Sequence, residues 1–372
     1  MLGSRLVKPK PAAPTVADRW PAPAVPAGSL RLKLDQRPAE GEKLVSRDLS
    51  AIAVLGESLF LSGDESAHIE VLDRLSSKLW SEHRRIHLGE IFELPDSSDE
   101  MDIEGLASSA GWLWVVGSHS RTRCKPPKGR PVDAEALERL AELKDNPNRF
   151  FLGRVPLAPL KPGSPRYGIA GYDAPPDGRK PGMLSIKKHG DALARRLRKD
   201  PHFAPFLKLP AKENGLDIEG IVVDGTRVAV GLRGPVINGW ACVLEFAIKQ
   251  AKSGHLKIDG ELEKRWLKLD GLGIRDMKRD GDDILILAGP TMALDGPALV
   301  YRWRDWARGA DAGLAPIRPQ RLLDLPYGHD CDHPEAISPW PTPAGPGLLI
   351  VCDSPAPRRM VAGGLTADLF AL

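Results

Sequence analysis

The fold is decided by residues 101–120, which read MDIEGLASSAGWLWVVGSHS. This stretch predicts a strand, a tight turn and a second strand that ends in small polar residues. A copy, LDIEGIVVDGTRVAVGLRGP, occupies residues 216–235, and weaker copies begin at residues 48, 273 and 333. Internal repetition identifies an architecture. Further strands follow each copy, so the sequence predicts an all-β protein, a β-propeller.

The spacing of the copies predicts the number of blades. Repeats begin at residues 48, 102, 217, 273 and 333. The long gap after residue 102 holds helical patterns and loops rich in Pro and Gly where another inner strand pair would be needed. Five blades are therefore predicted, with six as the alternative. The second blade is expected to carry insertions at about 121–148 and 158–202, with helices near 133–144 and 190–199.

The outermost strand of each blade follows a similar pattern. Such strands are predicted at residues 85–94, 203–209, 265–269 and 321–325, but the fifth repeat lacks one. The alternating segment at residues 30–35 is expected to supply it, which would close the propeller and remove an open edge. Residues 1–29 are rich in Pro and Ala and predict a flexible arm. Residues 30–372 then form a single domain.

The composition and charge of the chain argue against several classes of protein. A formal net charge of +3 is too small to indicate a polyanionic partner, and four cysteines without a CxxC pair predict no disulfide framework. Neither the apolar core of a signal peptide nor a membrane span is recognisable, and no nucleotide-cofactor motif occurs. We expect a cytoplasmic monomer that is not bound to a membrane.

Polar side chains recur at the start of the predicted inner strands. Side chains two apart on a strand point the same way, so Asp102 is expected beside Glu104, Asp217 beside Glu219, and His333 beside Glu335. The loops entering the first strand and leaving the second share one face of a propeller. These side chains should therefore meet at one mouth of the central channel, where the position of Glu104 is held in the other repeats by Ser50, Glu219, Arg275 and Glu335.

Clustered carboxylates in a confined site need a cation, and sets of oxygen ligands suit Ca²⁺, Mg²⁺ or Mn²⁺. Such an ion polarises a phosphoryl or ester oxygen and activates water, with Glu219 or His119 as a candidate general base. The predicted ligands of the ion are Asp102, Glu104, Asp217, Glu219, His333 and Glu335. The predicted ligand-binding residues are Ser118, Arg121, Arg233, Arg275 and Asp353.

Other interpretations stay open. A glutamate paired with Arg233 or Arg275 would tie neighbouring blades together without chemistry. A non-enzymatic scaffold that binds a protein partner is the alternative function, because Ser118 and His119 lack the Gly-x-Ser-x-Gly elbow of a serine hydrolase.

Two basic runs are expected to be solvated loops, although the first would also suit a small anionic ligand at the mouth. Residues 121–130 hold five cations and are expected over the mouth, whereas residues 179–199 hold eight and are expected on the opposite face. Neither has interleaved aromatic residues for base stacking, so nucleic acid is not expected.

The paired motifs DIEGLA and DIEGIV, the ending LWVVGSHS and the late HPEAI resemble a bacterial propeller family of unknown function. More distantly, the inner strands are similar to those of esterase-like phytase propellers, and more loosely to calcium-dependent lactonase propellers. The resemblance implies a propeller and is compatible with a Ca²⁺-assisted hydrolase. Ser50 and Arg275 interrupt a uniform acidic ring.

Overall fold

The protein is all-β in the computed structural model. Antiparallel strands dominate, and the α-helices of the described residues are short and confined to the second repeat. None of these helices is long and apolar enough to cross a membrane. Most of the predicted flexible arm lies outside the described residues. The structure describes residues 23–35, 44–63, 65–96, 100–124, 133–309 and 316–372.

The first repeat forms an antiparallel meander that follows the N-terminal strand. The fourth strand was predicted at residues 85–94. It instead runs from Leu79 to His87 and is followed by a 3-10 helix at Leu88–Glu90. The strands are β1 (Gly28–Lys33), β2 (Leu49–Leu55), β3 (Ser58–Gly63), β4 (His68–Arg74) and β5 (Leu79–His87), with β2 to β5 hydrogen-bonded in order.

The second repeat carries the insertions. Asp133 and Asp191 cap its two helices, each accepting a hydrogen bond of 2.8 Å from a backbone N–H of the first turn. The elements are β6 (Ile103–Ser109), β7 (Trp112–Gly117), β8 (Thr122–Arg123), α1 (Ala134–Arg139), β9 (Leu143–Lys144), β10 (Leu152–Pro159), β11 (Tyr167–Ile169), β12 (Gly182–Met183) and α2 (Ala192–Leu197).

The prediction of an outer strand at residues 203–209 is wrong. This segment is a turn followed by a 3-10 helix at Phe206–Lys208. The free edge of β10 is already taken by β11 and β12, so no strand position remains. The apolar side chains of this segment pack against the third repeat instead. The buried ring of Phe203 stacks on Trp266 with 6.0 Å between ring centroids.

The third, fourth and fifth repeats follow the predicted pattern, except that the outer strand predicted at residues 265–269 begins much earlier, at Leu256. Each begins with a hairpin and continues outward through further antiparallel strands. The strands are β13 (Asp217–Asp224), β14 (Arg227–Gly234), β15 (Ala241–Gln250), β16 (Leu256–Leu267), β17 (Gly273–Asp280), β18 (Asp283–Gly289), β19 (Ala298–Trp303), β20 (Gln320–Leu325), β21 (His333–Thr342), β22 (Gly345–Asp353), β23 (Met360–Val361) and β24 (Gly364–Ala371).

The N-terminal strand joins the last repeat to the first. As predicted, β1 pairs antiparallel with β24, from Gly28 opposite Leu369 to Lys33 opposite Gly364. It also pairs in parallel with β5, where Leu32 lies opposite Trp80. The sequence did not predict this second pairing. The two repeats therefore share one continuous sheet.

The inner strands are arranged in a ring. Strand β2 contacts β6, β6 contacts β13, β13 contacts β17, β17 contacts β21, and β21 contacts β2 again. The apolar cores lie between neighbouring repeats: Phe60 packs in one cluster with Leu113, and Leu349 packs in another with Leu59. Burial of apolar surface therefore holds each sheet against the next, and the arrangement is propeller-like.

Removing the side chain of Leu32 should weaken the closure, because Leu32 is fully buried between β24 and β5. We expect Leu32→Ala to lower the free energy of unfolding by about 2–5 kcal/mol. The control Ser29→Ala changes an exposed residue of the same strand and should stay within about 0.5 kcal/mol of the wild type. Urea denaturation measures both. Equal loss in the two variants would contradict the closing role of Leu32.

Candidate functional site

Every inner hairpin has a β-bulge near the start of its first strand. The extra residue of a bulge interrupts the pairing and redirects its own side chain. In the third repeat the bulge also needs Gly220, because a Cβ atom there would lie 2.7 Å from the Met277 backbone nitrogen of β17. The bulges fall at the positions that the repeat alignment placed in one ring: Ser50, Glu104, Glu219, Arg275 and Glu335.

A chain of ion pairs connects three repeats at this ring. Arg233, at the end of β14, binds Glu219 with 2.6 Å between Nη1 and Oε1 and approaches Asp217 with 3.4 Å between Nε and Oδ2. Arg275 of β17 lies 3.4 Å from Glu219 Oε2 and also pairs with Glu335 of β21. These five residues are called the ion-pair chain below.

Solvent reaches only one end of the ion-pair chain. Asp217, Glu219 and Arg233 are buried, whereas the side chains of Arg275 and Glu335 each keep 13% of their surface exposed. A ligand arriving from solvent would therefore contact Arg275 and Glu335 first.

A second polar group adjoins the ion-pair chain. Arg149 donates to Asp102 with 2.5 Å between Nη1 and Oδ2, and to the hydroxyl of Ser120 at 3.2 Å. The Ser120 hydroxyl lies 2.9 Å from that of Ser118. The charge of Arg149 also acts on Asp217. Sequence reasoning missed Arg149, because it lies between an insertion and β10 and has no counterpart in the repeats.

Burial changes the protonation of this region. Burial raises the pKa of Glu335 to about 8, and Glu219 adds to the effect, although Arg275 opposes it. Burial likewise raises the pKa of Asp217 to about 7 against the charge of Arg233. The candidate site thus holds carboxyl groups that exchange protons near neutral pH, a property common at functional sites.

Arginines provide positive charge where the sequence analysis placed a metal ion. Of the predicted metal ligands, Asp102, Asp217, Glu219 and Glu335 bind arginine, and the charge of Glu104 acts on Arg233. His333 faces Asp295, with 2.9 Å between Nε2 and Oδ1. Among the described residues, the ligand atoms that lie within 4.8 Å of one another belong to Asp295, His329 and Asp330. A Ca²⁺, Mg²⁺ or Mn²⁺ ion at the predicted ligands stays a prediction.

His119 lies in the protein interior. Its Nδ1 atom is 2.9 Å from the Gly117 carbonyl oxygen and its Nε2 atom is 3.2 Å from Asp191 Oδ2. Burial opposes the charged imidazolium, but the charge and hydrogen bond of Asp191 prevail and raise the pKa of His119. Since Asp191 caps α2, this contact fastens the helix to the end of β7. The predicted catalytic roles of His119 and Glu219 stay predictions.

The contact between His119 and Asp191 also bears on the second basic run, residues 179–199, which was expected on the opposite face. Arg179 does lie at the far end of the β6–β7 hairpin, where it donates to the Gly111 carbonyl oxygen at 2.7 Å. Asp191 instead reaches the end of β7, and the charge of Arg121 acts on Arg198. The expectation that residues 179–199 lie together on the opposite face is therefore wrong, because the segment crosses from one face to the other.

The remaining predicted binding residues lie at the ends of the second strands. Arg121 binds Asp145, with 2.8 Å between Nε and Oδ1. Asp353 accepts a 3.2 Å hydrogen bond from the Ser354 hydroxyl, and its charge acts on Glu335. Residues 125–130 of the first basic run lie outside the described residues.

These features define an all-β protein with propeller-like sheets and a ring of charged side chains at its centre. The chain belongs to DUF3616, a family of proteins of unknown function, whose model matches residues 48–368. A search of curated proteins finds no match. The more distant similarity to esterase-like phytase and calcium-dependent lactonase propellers stays a prediction.

Solved structures with similar folds include two arabinanases and a lactonase. An exo-1,5-alpha-L-arabinanase from a bovine ruminal metagenomic library has 10% identity and a TM-score of 0.39, covering 88% of this chain and 95% of its own. The alpha-L-arabinanase of Cellvibrio cellulosa, complexed with arabinohexaose, has 12% identity and a TM-score of 0.36, covering 87% and 90%. A putative 6-phosphogluconolactonase from Bacteroides fragilis has 13% identity and a TM-score of 0.31, covering 91% and 90%.

The raised pKa of Glu335 predicts a pH dependence of stability. An acid with a higher pKa in the folded protein binds more protons when folded, so the free energy of unfolding falls as the pH rises between the two values. For Glu335 the range runs from 4.5 to about 8. We expect Glu335→Gln to flatten this fall, measured by urea unfolding across that range. The exposed control Glu261→Gln should keep the wild-type slope, and an unchanged slope in Glu335→Gln would contradict the prediction.

Replacing His119 should destabilise the protein, because His119→Ala leaves the carboxylate of Asp191 buried without its imidazole partner. We expect a loss of about 1–3 kcal/mol in the free energy of unfolding. His189 is exposed and lies two residues before Asp191 in the sequence. The control variant His189→Ala should unfold as the wild type does. Thermal and urea denaturation give the comparison. Wild-type stability in His119→Ala would argue against a structural role.

Proposed function

We propose that the protein is a five-bladed propeller that binds a small anionic ester at the mouth of its channel and hydrolyses it. The ester is a phosphate or a carboxylic ester. The observation that carries the proposal is the solvent-facing end of the ion-pair chain, where the half-buried guanidinium of Arg275 meets the carboxyl group of Glu335.

Five blades agree with the ring of inner-strand contacts from β2 through β6, β13, β17 and β21 back to β2. Each of these strands opens its own meander, and each apolar cluster packs between two adjacent meanders. The mouth is the end of the ring where the bulges lie.

Arg275 suits the binding of the anionic group. A guanidinium presents planar donors that match two oxygens of a phosphate or carboxylate. Arg275 shares its partner Glu219 with Arg233 and pairs with Glu335 as well. When Glu335 is protonated, Arg275 retains charge for a ligand.

Glu335 is assigned the role of proton donor. Hydrolysis forms a bond between a water oxygen and the phosphorus or carbonyl carbon, and breaks the bond to the leaving oxygen. The proton of Glu335 passes to that leaving oxygen, and the proton of the attacking water passes to a neighbouring carboxylate. Asp353 is assigned this role, since its charge acts on Glu335. Glu219 is less suited to accept it, because its two carboxylate oxygens already face Arg233 and Arg275.

The test measures hydrolysis of phenyl phosphate and of monophenyl succinate by the full chain, because both esters are anionic and their basic leaving group needs a proton donor. We expect Glu335→Gln to lose about 100-fold or more in kcat while remaining folded. Arg275→Lys should chiefly raise KM for the anionic phosphate, because lysine cannot make the bidentate contact of a guanidinium. The control Glu261→Gln should match the wild type.

Two outcomes would overturn the proposal. Equal turnover by wild type and Glu335→Gln would exclude this proton donor. Absence of turnover, together with no binding of inorganic phosphate that depends on Arg275, would favour the interaction scaffold. Adding Ca²⁺ to each assay tests the metal-assisted version, which requires activity that rises with the ion.

A further inference from the structure

Two segments outside the ion-pair chain bring imidazole and carboxylate groups together. The loop between β18 and β19 carries Asp295, the segment before β21 carries His329 and Asp330, and His333 is the first residue of β21. His329 Nδ1 lies 2.5 Å from Asp295 Oδ2, and His329 Nε2 lies 3.6 Å from Asp330 Oδ2. One ligand atom from each of Asp295, His329 and Asp330 lies within 4.8 Å of the others.

We propose that Asp295, His329 and Asp330 bind a divalent first-row transition metal such as Zn²⁺ or Co²⁺. Metal–ligand distances of about 2.0–2.2 Å place the ligand atoms of a tetrahedral site about 3.3–3.6 Å apart. In the structure one ligand atom from each residue lies within 4.8 Å of the others, so small side-chain rotations bring the three atoms to this spacing. His329 and Asp330 have side chains 89% and 88% exposed, so they rotate into place without disturbing the core. Water completes the coordination.

The ligand types favour such metals over Ca²⁺ or Mg²⁺. An imidazole nitrogen suits zinc, cobalt, nickel and copper, whereas calcium and magnesium prefer oxygen alone. Two carboxylates also balance the charge of a divalent ion. This chemistry differs from that of the oxygen-rich set predicted at the mouth.

The neighbours of Asp295 support the assignment. Its ion-pair partners among the described residues are His329 and His333 rather than arginine or lysine. In the ion-pair chain, by contrast, guanidinium groups sit against the carboxylates. His333 holds Asp295 Oδ1 at 2.9 Å and leaves Oδ2 directed at His329, so it serves as an outer residue that orients a metal ligand.

The site would fasten two segments at the edge of the mouth. The loop that carries Asp295 also carries Thr291, whose carbonyl oxygen accepts a 3.4 Å hydrogen bond from Arg233 Nε. A bound metal would therefore hold this loop against the segment that leads into β21. The inference does not depend on ester hydrolysis, since it concerns residues outside the ion-pair chain.

Equilibrium dialysis of the purified full chain with Zn²⁺, and visible absorption with Co²⁺, test the site. We expect one metal ion per chain, an increase in Tm with Zn²⁺, and no competition from Ca²⁺. His329→Ala and Asp295→Asn should each weaken binding at least tenfold, and His333→Ala about 10–100-fold. The exposed control His255→Ala should bind as the wild type does.

The variant Glu335→Gln separates this site from the mouth and should retain the metal. Loss of metal in Glu335→Gln with retention in His329→Ala would overturn the assignment in favour of the mouth carboxylates. Absence of Zn²⁺ binding at millimolar concentration in the folded wild type would also overturn it. Circular dichroism of each variant confirms that lost binding does not reflect unfolding.

Discussion

A carboxylate that turns into the middle of a ring of strands leaves water and must find positive charge there. Glu219 is 1% exposed, and an uncompensated buried ion costs several kcal/mol. Arg233 comes from its own hairpin and Arg275 from the next repeat. Satisfying one glutamate therefore fixes the position of β17 relative to β13, and Glu335 extends the constraint to β21. Electrostatic matching at the centre complements apolar packing between the sheets.

The repeats made the centre of the molecule predictable. Each hairpin bulges at the same place, so aligning the copies predicts that Glu219, Arg275 and Glu335 are neighbours, as their ion pairs show. Sequence could not decide whether a metal or an arginine compensates these carboxylates, because that depends on where the long side chains of Arg233 and Arg149 point. The bulges themselves also escaped prediction, since they depend on the pairing register of the opposite strand.

The insertions were predictable as helices but not in their placement. Helix α1 ends at Arg139, short of the predicted residue 144. The contact of Asp191 with His119 joins residues 72 positions apart in the sequence. The segment at 203–209 alternates as a strand does, and only the occupied edge of β10 prevents it from pairing. Local pattern identifies what a segment is able to form, whereas competition for sheet edges decides what it does form.

The double pairing of β1 has a consequence for the order of assembly. Strand β1 is synthesised well before β24, and it finds this antiparallel partner only when β24 has left the ribosome. At about 5–20 residues per second, β1 waits tens of seconds while β5 offers it only a short parallel contact. Ring closure thus becomes a late, long-range step of the kind that slows folding. The nascent protein has to keep the exposed edges of β5 and β24 from pairing with other chains until that step is complete.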